Sequence, residues 1–404
     1  MPMEDRTPHS SDNQNIRESS IGETEMGCAE LTVGFDAKRA AQNTTGLGNY
    51  SRFVVEGLSR YGRLKSLNLY MPSERKTKAL RGLDLMPRVK KCFPSGIWRF
   101  LPSSLWRVTT MGGQPQADGV QLFHGLSNEL PMGLGSKMRK VVTIHDLIFL
   151  HYPECYKPID RAIYKHKFRS ACRRADRVVA VSECTKRDIV THYGIDPAKV
   201  SVVYQGCAEA FWEPASESVK EEVRKAYKLP TNYVLYVGTI ERRKNLGLLA
   251  QALKNLAPNV QVIAVGKQTP YATEVRQMAQ ELGVGNRLTM LSNVPFRHLP
   301  ALYQMASLFV YPSRFEGFGI PILEALVSGV PVIGCTGSCL EEAGGPDSIY
   351  VSPDDPEELA RQMERVLSDE PLRTRMIEKG REYAQNFTAE KLTEDMLRIY
   401  QMVM

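Results

Sequence analysis

The sequence predicts an α/β protein of two doubly wound, Rossmann-like domains facing each other across a cleft. Three observations predict it. Apolar runs of strand length alternate with stretches of helical periodicity. That rhythm breaks at the turn-rich residues 206–216 and then restarts. At 404 residues, the chain is too long for one ordinary core and about right for two.

In the first half the strand candidates are 31–35, 120–123, 141–144, 178–181 and 200–204, with helical patterns at 160–174 and 183–193. A loop at 43–49, carrying Gly46 and Gly48, feeds a helix whose Tyr50, Phe53, Val54 and Leu58 keep helical spacing. In the second half the candidates are 233–237, 260–265, 287–291, 308–311 and 330–333, each followed by helical composition. Residues 388–404 form a helix by pattern. The expected organisation is a disordered extension (1–26), an N-terminal domain (27–206), a C-terminal domain (207–387) and a terminal helix (388–404). Ligands of such folds bind at the C-terminal ends of the strands, so the cleft is the expected site.

Composition excludes several classes. Hydrophobic residues make up 43% and charged residues 24%, a globular balance. No stretch reaches the roughly 18 apolar residues of a membrane span, and the polar first 26 residues lack the centre of a secretory signal. Met26 serves as a start as well as Met1 does. Eight cysteines without a CxxC pair read as reduced thiols of a cytoplasmic protein. Residues 27–206 hold 29 Lys and Arg against 14 Asp and Glu, whereas 207–404 hold 21 against 25. The basic first half points to an anionic partner. No nucleic-acid-binding motif or aromatic platform accompanies it, so nucleic acid is not expected. Instead, segment 73–110 sets Arg75, Lys76, Lys78, Arg81, Arg88, Lys90, Lys91, Arg99 and Arg107 beside Phe93, Trp98, Phe100, Leu101, Leu105 and Trp106. That mixture suits peripheral binding to an anionic membrane surface.

The most specific motif is RFEGFGIPILEA at 314–325. Glu316 and Glu324 stand eight residues apart around a Gly317-Phe318-Gly319 turn, which opens a helix near Pro321. Glycines let backbone amides approach a ligand, and a helix N-terminus favours negative charge. A diphosphate fits there without a metal. The flanking carboxylates can accept hydrogen bonds from vicinal hydroxyls such as those of a sugar or ribose. In 238–245, Arg243 and Lys244 follow a strand end, where cations can neutralise a leaving diphosphate. His145 ends another strand, with Asp146 beside it as a turn cap. His124 ends a third, and Ser182 reads as a helix N-cap. No Asp-x-Asp pair is present to hold a divalent ion. Asp354-Asp355 before Pro356 reads as helix capping.

These motifs resemble retaining glycosyltransferases of family 4, the group 1 enzymes of bacterial polysaccharide and lipopolysaccharide synthesis, which have the GT-B fold. The resemblance runs from Thr32 to the C-terminus. It implies a metal-independent transfer of hexose from a UDP- or GDP-sugar to a glycan or lipid-linked acceptor, with no cofactor. By it, Glu316 contacts the donor sugar, Glu324 the ribose hydroxyls, and the amides of Gly317, Phe318 and Gly319 the sugar and diphosphate. His145 matches a histidine that approaches the sugar, and Lys244 a lysine on the diphosphate. Thr239 stands where the family has an arginine, and Arg243 is the candidate substitute. Gly46 and Gly48 match the first strand–helix loop, under the phosphates and acceptor. Asn293 and Val294 fall where the nucleobase is placed. The terminal helix is expected to cross back onto the N-terminal domain. The alternatives are a sugar-nucleotide epimerase on this fold and a nucleotide-sugar sensor without turnover.

Overall fold

The computed structural model describes residues 29–43, 45–74, 77–80, 82–94, 106, 111 and 113–404. The expected extension 1–26 lies outside them. So does most of the basic and aromatic segment: Arg75, Lys76, Arg81, Trp98, Arg99, Phe100, Leu101, Leu105 and Arg107. Of its described residues, Lys90 and Lys91 are exposed, whereas Trp106 is 1% exposed and belongs to the core.

Two sheets carry the fold. The first comprises β1 (Thr32–Asp36), β2 (Ser66–Tyr70), β3 (Val89–Cys92), β4 (Leu122–Gly125), β5 (Arg139–Ile144), β6 (Arg177–Ala180) and β7 (Val200–Val202), ordered β3-β2-β1-β4-β5-β6-β7. The second comprises β8 (Val234–Val237), β9 (Val262–Val265), β10 (Leu288–Leu291), β11 (Leu308–Tyr311), β12 (Val332–Cys335) and β13 (Ile349–Val351), ordered β10-β9-β8-β11-β12-β13. Around both first strands the pairing is parallel. Strand order reverses beside β1 and beside β8, the signature of a doubly wound sheet. Strands covered on both faces read as continuous apolar runs, and β4, β9 and β11 bury every residue.

Three strands escape that pattern. β2 is fully buried, yet its Ser66 and Asn68 are polar and bond each other at 2.7 Å. β3 is an edge strand carrying two lysines, and β13 is an edge strand of three residues.

The chain divides into two compact units. The first takes the described residues up to Thr143, with Ser170–Val178 and Thr393–Met404. Its helix Gly46–Arg60 starts earlier than expected, so Gly46 and Gly48 lie in the first turn and not in a preceding loop. A Cβ on Gly48 would come within 1.9 Å of the Asn43 carbonyl oxygen, so this start requires glycine. His124 is a core residue. Its Nδ1 lies 2.8 Å from the Tyr400 hydroxyl and its Nε2 2.8 Å from Thr143 Oγ1, which also meets the Tyr50 hydroxyl at 3.1 Å. Tyr400, on the helix Ala389–Val403, is fully buried.

The second unit takes Ile144–Arg169 and Val179–Leu392, including the whole second sheet. Among the described residues no helix is long and apolar enough to cross a membrane.

Removing the Tyr400 hydroxyl takes one member from a buried network, which costs about 1–2 kcal/mol. Tyr400→Phe is therefore expected to lower stability by that amount in chemical denaturation. An unchanged midpoint would show that the hydroxyl does not tie the terminal helix to His124.

Candidate glycosyl-transfer site

The site grows from two neighbouring strands of the second unit. β8 and β11 lie side by side where the strand order reverses, the place at which doubly wound sheets bind ligands. After β8 the chain makes a 3-10 turn, Arg242–Lys244, closed by Asn245 in the left-handed region at φ 58°. The Asn245 side chain fixes the turn by donating to the Pro353 carbonyl at 2.9 Å. Lys244 is thereby aimed at the end of β11, where its Nζ donates to the Tyr311 hydroxyl at 2.6 Å and to Glu316 Oε1 at 2.8 Å.

Four donors converge on that one carboxylate oxygen. Besides Lys244, the Tyr311 hydroxyl donates at 3.0 Å and Ser313 Oγ at 2.7 Å, and Arg243 Nη1 lies 3.0 Å away. Arg243 also pairs with Glu241 at 2.7 Å and donates to the Phe315 carbonyl. Burial alone would push the Glu316 carboxyl up. Lys244 and Arg243, helped by the hydrogen bonds from Lys244 and Ser313, outweigh it and hold the group at about 2. Glu316 is therefore an ionised acceptor at neutral pH.

Glu324 is the opposite case. It sits on the helix Ile320–Val327, half-buried, where the Tyr303 hydroxyl donates to it at 2.8 Å. Burial pushes its carboxyl up to about 7, and the Tyr303 bond offsets only part of the rise. With a folded value above the unfolded one, its contribution to stability is present below about 4.5 and lost as pH rises through 7.

Between the two carboxylates runs the glycine turn. A Cβ on Gly317 would stand 2.0 Å from the His145 carbonyl oxygen, so glycine is required by close approach. Gly319 has φ 124° and is the N-cap of the Glu324 helix, to which it brings no capping side chain. Phe318 turns its ring away, into Tyr204 and Phe387 at 5.6 Å each, so only its backbone is left to face a ligand. The Cys339 thiol holds the turn by bonding the carbonyls of Glu316 at 3.0 Å and Phe318 at 2.9 Å.

His145 is 6% exposed. Gln205 places its amide nitrogen 3.0 Å from Nδ1, which leaves the ring hydrogen on Nε2. Asp146 accepts from the Ile148 amide at 3.1 Å, the expected turn cap. Ser182 caps the helix Glu183–Tyr193 by accepting from the Thr185 amide at 3.0 Å. Thr185 Oγ1 lies 3.2 Å from the His145 carbonyl and 3.3 Å from that of Gly317. Asp355 caps its helix through the Glu358 amide at 2.8 Å, and Asp354 pairs with Arg314 at 2.6 Å.

The structure thus brings Arg243, Lys244 and Glu316 into direct contact and seats Gly317 on His145. Glu324 follows one helix further on. Gly46 and Gly48 belong to the first unit. Tyr311, Ser313 and Gln205 escape sequence reasoning. The first two stand within five residues of Glu316, and Gln205 directly after a strand run, but no spacing announces what they touch.

Comparison with known proteins fits this geometry. The sequence profile described as "Glycosyl transferases group 1" matches residues 219–383, and that described as "Glycosyltransferase Family 4" matches 69–210. The chain belongs to the family 4, group 1 glycosyltransferases. This glycosyltransferase is 29% identical over 379 residues to the O-antigen chain mannosyltransferase B of Escherichia coli, covering 89% of this chain and 96% of that one. It is 31% identical over 216 residues to the O-antigen chain mannosyltransferase RfbU of Salmonella typhimurium, covering 54% of this chain and 57% of that one. Among solved structures, Anabaena HepE in complex with UDP and glucose superposes with a TM-score of 0.71 at 19% identity, covering 92% of this chain and 100% of that one. The fold of this glycosyltransferase is GT-B.

A carboxylate lowered from 4.5 to about 2 contributes about 3 kcal/mol to folding. That contribution is present above pH 4.5, halved about midway between 4.5 and 2, and lost as pH falls through 2. Glu316→Gln is therefore expected to cost about 3 kcal/mol at pH 7, with the gap to wild type closing toward acid. Urea unfolding from pH 7 to pH 3.5 tests this. A gap independent of pH would mean that the ion pairs do not stabilise the fold.

Proposed function

We propose that this glycosyltransferase moves a hexose from a nucleotide-diphosphate sugar to a glycan or lipid-linked acceptor, retaining anomeric configuration and using no metal ion. The observation that carries the proposal is the Lys244–Arg243–Glu316 cluster at the switch point, followed at once by the Gly319-capped helix. The mannosyltransferase names of both relatives support mannose as the sugar and an O-antigen-type polysaccharide as the product. UDP and glucose in the HepE complex are ligands of the proposed donor class.

Each role follows from the state of its group. Glu316 is ionised, so it accepts from sugar hydroxyls and has no proton to supply. Lys244 and Arg243 turn from Glu316 toward the diphosphate, whose charge grows as the glycosidic bond breaks. The amides of Gly317, Phe318 and Gly319 approach the sugar and diphosphate, and the Nε2 hydrogen of His145 reaches a sugar oxygen. Glu324 accepts from the ribose hydroxyls. The acceptor oxygen attacks the anomeric carbon on the face from which the diphosphate departs. A phosphate oxygen takes the acceptor's proton. Gly46 and Gly48, in the first turn of their helix, are the first unit's candidates for an anionic group. Work at the inner face of the plasma membrane, through the basic first half, belongs to the same proposal.

A panel of UDP-, GDP-, ADP- and dTDP-sugars, scored by hydrolysis and thermal shift in EDTA, tests it. A mannosyl donor is expected to turn over at an undiminished rate. Failure of every donor to bind or react would end the transfer reading. Activity lost in EDTA and restored by Mg²⁺ or Mn²⁺ would end the metal-free one.

Glu324 has a test of its own. Only its ionised form accepts from two hydroxyls, so binding of the bare nucleoside diphosphate is expected to weaken about tenfold from pH 8 to pH 6. Calorimetry on wild type and Glu324→Gln separates this from titration of the phosphate. Parallel profiles for the two proteins would remove Glu324 from the ribose.

A further inference from the structure

Apart from the carboxylate–cation cluster, three side chains of the second unit converge on one point. His151 ends the helix Ile148–His151, and Asp188 and His192 stand one turn apart on Glu183–Tyr193. His151 Nε2 lies 2.9 Å from Asp188 Oδ1, and His192 Nε2 lies 4.0 Å from the same oxygen. One ligand atom from each residue falls within 4.8 Å of the other two. The two rings meet edge to face at 5.4 Å.

A His151–Asp188 hydrogen bond accounts for part of this and leaves the rest open. Asp188 is only 9% exposed, and its Oδ2 is buried with no hydrogen-bond partner. Such an atom is costly unless something satisfies it. The imidazoles, at 31% and 37% side-chain exposure, leave a path from solvent.

We propose that His151, Asp188 and His192 form a binding site for one divalent ion of the zinc class. Two imidazoles and a carboxylate suit Zn²⁺, Co²⁺ or Ni²⁺, whereas Mg²⁺ selects oxygen ligands. Ligand atoms about 2.0–2.1 Å from a tetrahedral zinc lie about 3.3 Å apart. The observed 2.9 and 4.0 Å to Asp188 Oδ1, with every separation inside 4.8 Å, therefore need shifts of no more than about 1.5 Å, and water completes the shell. His151 also stacks on Phe315 at 4.3 Å, so an ion there pins the ring against the residue before Glu316. The role is structural. None of the three ligands belongs to the proposed transfer machinery, and the ions that would rescue a metal-dependent transfer, Mg²⁺ and Mn²⁺, are poor fits here.

The test uses the untagged full chain, stripped with chelator, dialysed and titrated with Co²⁺ in visible absorption before displacement by Zn²⁺. One equivalent is expected to bind without a thiolate-to-cobalt charge-transfer band, which excludes the cysteines, and Zn²⁺ is expected to raise the thermal midpoint. His192→Gln, and His151→Phe with its ring kept on Phe315, are each expected to weaken binding at least about tenfold with unchanged circular dichroism. His166→Gln, on an exposed position elsewhere, is expected to bind like wild type. The proposal is overturned if wild type binds neither ion saturably, if both ligand variants bind like wild type, or if a thiolate band assigns the ion to cysteine.

Discussion

The second unit is organised around one buried negative charge. An ionised carboxylate taken out of water is costly unless paired and hydrogen-bonded, and the Glu316 side chain is only 13% exposed. Lys244 and Arg243 meet that cost, and they reach Glu316 only because β8 and β11 are neighbours. The 3-10 turn after β8, its closure by Asn245 and the glycine turn after Glu316 all serve this contact.

The same charge decides what the site can do. At an effective dielectric near 20, two unit charges about 4 Å apart interact by about 4 kcal/mol. In the proposed reaction a diphosphate would compete with Glu316 for cations already assembled, so that binding would require the protein to gather no new charge. Glu324, lacking a cation, retains its proton into the neutral range. Between about pH 2 and pH 7 two identical residues of one motif thus favour opposite protonation states. The difference lies in what is folded against them.

Most of the fold was legible because apolar runs report strands buried on both faces. The misses have physical causes. β2 hides a buried Ser66–Asn68 pair that reads as polar, β3 is an edge carrying two lysines, and β13 is an edge of only three residues. Gly48 marks a helix start packed on Asn43, which in sequence looks like a loop glycine. At the site, Arg243 and Lys244 were legible from their strand-end position even with Thr239 in place of the family arginine. Gln205 was not, since its contact with His145 joins residues 60 apart. His124 looked like a second strand-end histidine, and only its bonds to Thr143 and Tyr400 identify a core residue.

The two glycines of the motif carry the last step. In sequence they are alike, a Gly-Phe-Gly that permits a turn. In the structure Gly319 is needed for its backbone, because φ 124° is a region that side-chain-bearing residues rarely adopt. Gly317 needs no unusual φ. It is needed for space, since any Cβ would strike the His145 carbonyl. That contact sets the strand-end histidine against the loop between the carboxylates, and Thr185 reaches both carbonyls from one hydroxyl. A side chain at 317 would force this wall apart. The position of His145 therefore depends on an absent methyl group as much as on the residues that bond to it.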